Sequence, residues 1–276
     1  VIISRTPLRI SLFGGGTDYP QWYLEYGGAV LGATIDKYVY VMLHEGKMWD
    51  TCDLPTKSGL ATSSAFTVGL LRACGGLGQK ELANVATIWE QEKMSFNVGS
   101  QDQYLCSLGG FRLLRFDEHG IRDKLIDPET VRPLEDYLML FDTHQYRISG
   151  NIISHQLEGM KTHKNQLKKI QNMVDDGLRC IRLNDWEGLG KLLNQGWLLK
   201  KELSKYVSNE AIDAIYKDAR KAGAIGGKLL GAGGGGFILF LVEPDKQERV
   251  KEVLQDLTYC DFKFENEGTQ VIYESE

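Results

Sequence analysis

Short β-prone runs and longer helical stripes succeed one another along the chain. Residues 1–4 and 8–13 read as strands, and residues 29–43, rich in Val, Ile and Tyr, as one or two more. Residues 44–58 carry little pattern. Between 59 and 74 the stripe Phe66, Leu70 and Ala73 predicts a helix, and a second helix covers 81–94. A Gly-containing turn leads into a short helical start at 101–107. Gly109-Gly110 stops it, and 111–116 is again strand-like. Residues 137–141 predict another strand. Ile153, Leu157, Met160, Leu167, Ile170, Val174 and Ile181 then mark one long helical face, with Lys161, Lys164, Lys168 and Lys169 on its solvated side. Helices follow at 189–201 and 211–222, a glycine-rich stretch at 223–236, a strand at 237–242, a helix at 247–257 and a strand near 270–273. Strands and helices are mixed without a regular βαβ order, which predicts an α+β fold. Pro128 and Pro133 punctuate a polar stretch, so residues 1–133 and 134–276 are the expected domains.

Bulk composition narrows the partners. The chain has 276 residues, enough for one large or two modest domains. A net charge of −5, with no basic tail, argues against a nucleic-acid partner. An anionic small molecule remains compatible, because a pocket can be locally positive on an acidic protein. Cys52, Cys74, Cys106, Cys180 and Cys260 are scattered and odd in number, which fits a reducing compartment better than a disulfide scaffold. No run reaches transmembrane length and none reads as a signal peptide, so no membrane partner is expected and the cytoplasm is the expected location.

Three glycine-rich segments carry the candidate chemistry. In SLFGGGTDYP, Gly14, Gly15 and Gly16 precede Thr17 and Asp18, which suits either a turn or a cradle for a polar ligand. In PTKSGLATSSAF, small residues stand where a helix begins. Its first N–H groups are unpaired and favour an anion, so Gly59, Leu60, Ala61, Thr62, Ser63 and Ser64 form either a phosphate site or a capped helix. In KLLGAGGGGFILF, Gly231, Gly233 and Gly236 match GxGxxG. They open a strand instead of a helix, so a dinucleotide loop is rejected in favour of a loop over a ligand or a structural turn. Glu90 on a helix and Asp102 after NVGSQ would suit a kinase, which needs oxygen ligands for Mg²⁺ and a carboxylate near the attacking hydroxyl. Each, taken singly, also suits a surface charge or a helix cap. The five His show no metal spacing, and no GxSxG elbow is present.

TPLRISLFGGGTDY, PTKSGLATSSA, VGSQDQY and KLLGAGGGGF together resemble the GHMP small-molecule kinases in content and order. The resemblance implies a ribosomal-S5-like N-terminal domain packed on a ferredoxin-like C-terminal domain, with ATP and Mg²⁺ between them. It implies Arg9 near the reacting hydroxyl, Asp102 as the catalytic aspartate, residues 59–64 as the phosphate loop, and Ser64 and Glu90 as metal ligands. It places Gly15, Gly16, Thr17, Asp18, Gly233 and Gly234 at the substrate. NVGSQDQY, FDTHQYRISGNI and GWLLKKELSKYVSN are most similar to the D-glycero-D-manno-heptose 7-phosphate kinase branch, which implies transfer to an anomeric hydroxyl. Arg147 and Lys228 are candidates for the substrate phosphate there, or for structural salt bridges. A fucose, galactose or other sugar kinase is the near alternative, and a non-catalytic binding protein the distant one. Two departures stand out. Motifs one and two are close together, and HEGKMWDTCDLPTK joins strands abruptly, as if a segment between His44 and Pro55 had dropped out. His144 also stands where the family pattern has Gly after Thr143. Oligomeric state is not readable from the sequence.

Overall fold

The structure, a computed structural model, describes residues 1–94, 97–146 and 149–275. Two antiparallel sheets organise it. The first contains β1 (Ile2–Phe13), β2 (Gly28–His44), β3 (Lys47–Cys52), β4 (Phe111–Asp117) and β5 (Gly120–Leu125), and a last strand, Gln270–Glu274, pairs with the free side of β1. The second has four strands. These are β6 (Leu138–Asp142), β7 (Ala224–Leu229), β8 (Phe237–Val242) and β9 (Thr258–Cys260), ordered β7-β8-β6-β9, and Gln270–Glu274 is β10. The two-domain α+β architecture is the one the motifs imply. The returning β10 ties the end of the chain to its beginning.

Several elements differ from the sequence pattern for identifiable reasons. The two opening strands are one, because Thr6 and Pro7 continue the pairing with β2 through a register shift. The unpatterned 44–58 holds β3. Glu45 (φ 47°) and Gly46 (φ 73°) make a two-residue turn, and pairing runs from His44↔Lys47 to Val39↔Cys52. The abrupt join is therefore a hairpin with continuous register. Its exposed Met48 and Trp49 show why no alternation was visible. The long helical region divides at 159–163 into α6 (Ser149–Glu158) and α7 (Lys164–Arg182). Within the glycine-rich 223–236 lies β7, which the glycines masked.

Helices cover the sheets where glycine lets them approach. On the first sheet α1 (Pro20–Tyr26) follows the glycine turn, and α2 (Thr62–Cys74), α3 (Gln79–Ile88) and α4 (Gln101–Leu108) pack together. α2 lies close on β1 at Gly69, where the Ser4 hydroxyl donates to the Gly69 carbonyl (2.7 Å) and a Cβ would meet Thr6 Oγ1 at 2.8 Å. The short α5 (Pro128–Val131) leads into the second sheet. There α8 (Trp186–Glu202) crosses β7, while α9 (Glu210–Ala222) and α10 (Gln247–Val253) share a core with Phe240 and Val242. A Cβ on Gly226 of β7 would lie 1.8 Å from the Gly190 carbonyl oxygen of α8. Gly226→Ala is therefore expected to lower the unfolding free energy by about 1–3 kcal/mol, as overpacking does, read as a fall in denaturant midpoint. No described helix is long and apolar enough to cross a membrane.

Candidate active site

β1 delivers Arg9 into the space between α2 and α4. Its guanidinium is buried, and it forks onto Asp102 with Nε to Oδ1 and Nη2 to Oδ2, each 2.8 Å. Its third arm, Nη1, donates to the Gly59 carbonyl at 2.6 Å, and its main-chain N–H donates to the Leu60 carbonyl at 3.1 Å. Arg9 thus fixes the carboxylate to the phosphate loop in a bidentate geometry that Lys cannot reproduce. Burial opposes the charge on Arg9, but Asp102 outweighs it and the guanidinium is held above its ordinary pKa. Asp102 stands in the first turn of α4, with its side chain 24% exposed, so its oxygens can still be reached from the cleft.

The loop at 59–61 bends through Gly59 (φ 81°) and Ala61 (φ 66°) into α2, whose first turn has no side-chain cap. An uncapped helix start directs free N–H groups and the positive dipole end outward, which suits an anion. Leu60 serves the loop by its backbone, since its side chain is in the core. Thr62 is buried and Ser63 is exposed. Ser64 is turned inward and donates to Glu90 Oε2 at 2.9 Å.

Glu90 reaches this point because α3 ends in a wide π turn, Trp89–Lys93. It is fully buried. Gln103 also donates to Oε2 and the Thr67 hydroxyl lies near the carboxyl, while Oε1 has no hydrogen bond of good geometry. Burial pushes the carboxyl up from its ordinary pKa, against the pull of its hydrogen bonds. An orphaned buried carboxylate oxygen beside a serine hydroxyl fits a hard, oxygen-seeking cation such as Mg²⁺. No group of three or more His, Cys, Asp or Glu is assembled among the described residues. The rest of such an ion's shell would come from phosphates and water, as Mg²⁺ favours.

The glycine turn after β1 is built from within. The Thr17 hydroxyl donates toward the Gly14 (2.8 Å) and Ala29 (3.0 Å) carbonyls and accepts from the Ala29 N–H (3.2 Å). With its hydroxyl saturated and its side chain fully buried, Thr17 shapes the turn from within. Asp18 is also inward. Oδ1 accepts from Gly16 (3.1 Å), and Oδ2 from the Gln101 side chain (2.9 Å) and backbone (3.3 Å). Burial, and next the nearby Asp102, raise its pKa. Asp18 braces the turn against α4, and a Cβ on Gly99 would strike it at 1.9 Å. A Cβ on Gly15 would sit in ordinary contact with Gln101 Nε2 and Ser11 Oγ, each at 3.8 Å.

The C-terminal glycine loop, Gly231 to Gly236, closes over the loop at 58–59 through its two end glycines. Gly231 abuts Gly59, and Gly236 abuts Ser58, each at a distance a Cβ would forbid. Gly233 and Gly234 pack instead against Val207, with the Gly234 N–H donating to its carbonyl (2.8 Å). The departure at His144 lies beside this loop. Thr143 donates to the Gly236 carbonyl (2.6 Å), and buried Asp142 accepts from the His144 N–H (2.9 Å) and from the Tyr146 hydroxyl. Arg147 lies outside the described residues. Lys228 of β7 donates to the Ser11 (2.7 Å) and Leu12 (3.1 Å) carbonyls.

Three contributors escaped the sequence reading. Gln101 and Gln103 flank Asp102 and hold Asp18 and Glu90. Lys200 of α8 is buried beside the glycine turn and donates to the Gly231 carbonyl. A signal for it exists, since it continues the core stripe Leu189, Leu193 and Trp197 at helical spacing.

Family models describe the chain on both sides of this cleft. Residues 37–110 match the GHMP kinases N terminal domain and residues 178–259 the GHMP kinases C terminal. The chain belongs to the GHMP kinases, and is accordingly a phosphotransferase of a family that typically uses ATP and Mg²⁺. It is 29% identical over 335 aligned positions to the D-glycero-alpha-D-manno-heptose 7-phosphate kinase of Campylobacter jejuni, covering 98% of each protein. That alignment is longer than this chain, so the relative has segments absent here. The chain is also 28% identical to the bifunctional fucokinase/GDP-fucose pyrophosphorylase of Arabidopsis thaliana, over 80% of this chain and 22% of that protein. The crystal structure of a D-glycero-D-manno-heptose 1-phosphate kinase from Bacteroides thetaiotaomicron shares the fold, with a TM-score of 0.80, 24% identity and complete coverage of both chains.

Proposed function

We propose that the protein transfers the γ-phosphoryl group of ATP to the anomeric hydroxyl of D-glycero-D-manno-heptose 7-phosphate. The observation that carries the chemistry is the Arg9 fork, which ties Asp102 to the loop at Gly59. The similarity to the Campylobacter kinase over the whole chain supports the acceptor. The uncapped start of α2 and the loop 59–64 receive the nucleotide phosphates. Asp102 aligns the acceptor hydroxyl and takes its proton as the oxygen attacks in line, and Arg9 holds that carboxylate in place. Ser64 and Glu90 hold Mg²⁺, which supplies charge neutralisation at the phosphates when bound. Lys228 binds the phosphate of the acceptor, a role for which Arg147 is the other candidate by sequence. Gly15 and Gly16 leave room for the sugar, and Asp18 fixes the turn that receives it. The loop 59–64 belongs to a domain spanning 1–133 and Lys228 to one that begins at 134, whose final strand Gln270–Glu274 returns to the first sheet, with the reaction between them.

The test is ADP release with Mg-ATP and a panel of sugars and sugar phosphates, with the product's phosphate position read by phosphorus NMR. Turnover of the heptose 7-phosphate with a new phosphate at C1 is expected. Turnover of unphosphorylated sugars alone would discard this acceptor and favour the fucokinase-like reading, which the Arabidopsis relative supports. No ADP release with any sugar would reject a sugar kinase.

A further inference from the structure

Lys200 and Lys228 are buried at 9% and 8% exposure, yet their hydrogen-bond partners among the described residues are main-chain carbonyls alone. Lys200 has one such acceptor for its three N–H donors. Desolvated ammonium groups are costly without a counter-charge. The nearby carboxylates are committed elsewhere: Asp102 to Arg9, and Asp18 to Gly16 and Gln101. Asp18, whose own partners are neutral amides, is the nearby carboxylate whose charge still acts on both lysines, but it makes no hydrogen bond to either. Burial, and next the Arg9 cation, pull Lys200 down to about 8, and burial with Lys200 pulls Lys228 well below its ordinary value.

Both lysines line one small cleft whose walls also include Leu12, Phe13, Ile170 and Met173. Gly15 and Gly196, the latter one turn before Lys200 on α8, line the same cleft as the two lysines. A Cβ on either would meet no atom closer than 3.6 Å. Ser11, 5% exposed, has a hydroxyl without a partner beside Gly15. Two buried lysines whose charged form burial disfavours, and an unused hydroxyl, lie together, and an entering oxyanion would restore the charge on both amines.

We propose that Lys200 and Lys228 together form a phosphate subsite, in which Lys200 is a binding residue for a substrate phosphoryl group. The ligand is a phosphate monoester or phosphoanhydride oxygen set. Its source is either the acceptor's own phosphate, through Lys228 and the Ser11–Gly15 turn, or the group in transfer, through Gly231 and its neighbour Gly59. The proposal rests on the kinase reading above and adds Lys200 to it.

Lys200→Met preserves length and removes the charge, and Lys200→Arg keeps a cation. Kinetics are measured for both with heptose 7-phosphate and with the unphosphorylated heptose, each variant being checked by thermal melting. Loss of one charge-assisted contact predicts about a 10- to 100-fold fall in kcat/KM for Lys200→Met, partly restored in Lys200→Arg. A rise in KM confined to the phosphorylated acceptor assigns the acceptor's phosphate. An equal fall in kcat with both acceptors assigns the transferred group. A folded Lys200→Met enzyme within twofold of wild type on both acceptors overturns the subsite. Should wild type turn over no sugar, the kinase reading falls separately, and calorimetry with inorganic phosphate judges the subsite. Binding weakened at least tenfold in Lys200→Met upholds it. Equal binding, or none to wild type, overturns it.

Discussion

Asp102→Asn is expected to lower turnover by about 10²- to 10⁴-fold, the usual worth of a positioned proton acceptor. The amide is isosteric, but whichever way it turns, one of its ends meets the Arg9 fork with a donor instead of an acceptor. One N–H of a buried guanidinium is left unmatched, so a stability loss of about 1–3 kcal/mol should accompany the kinetic effect. The phosphate loop keeps its own link to Arg9 through the Gly59 carbonyl, so ATP affinity should hold within a few-fold. Single-turnover kinetics and equilibrium nucleotide binding separate the two quantities. Near-normal turnover in the folded variant would remove Asp102 from the reaction.

The second large effect is expected at Glu90. Glu90→Gln should cut turnover by on the order of 10²- to 10³-fold, the scale of losing one preorganised electrostatic contact, and shift the Mg²⁺ requirement upward. Its stability effect should have the opposite sign from that of Asp102→Asn. Glu90 is a buried carboxylate with one oxygen unpartnered, so the neutral amide removes a desolvation cost. The nucleotide-free variant should melt no lower than wild type, while the additional stabilisation by Mg-ATP over ATP alone should be lost. A variant that unfolds easily yet keeps its Mg²⁺ response would make Glu90 structural and place the ion elsewhere.

The parts of this protein legible in one dimension are those whose chemistry is local. Helical stripes and the three glycine-rich segments follow from residue identity and spacing, while Arg9 and Asp102 were marked as functional types by the resemblance of their motifs and the uncapped start of α2 by the structure. The break between α6 and α7 at 159–163 was not legible, because the apolar stripe runs on across it. The strand β7 was hidden because its glycines serve packing: Gly226 exists to admit the Gly190 carbonyl, a contact 36 positions away that no local pattern records.

What tertiary structure alone decided is direction and company. Thr17 and Asp18 read as ligand-gripping groups, yet the fold spends their hydrogen bonds inside the turn and against α4. Gly231 and Gly236, not Gly233 and Gly234, meet the phosphate loop because the chain's curvature between β7 and β8 sets which backbone approaches Ser58 and Gly59. Lys200 read as the end of an amphipathic helix and became a buried cation because α8 crosses β7 beside the glycine turn. Sequence fixes which groups can donate, accept or carry charge, since that is covalent chemistry. Which of them lose water, and which keep a free lone pair or an unmatched charge for a ligand, depends on long-range packing, because desolvation and partnering belong to the assembled fold.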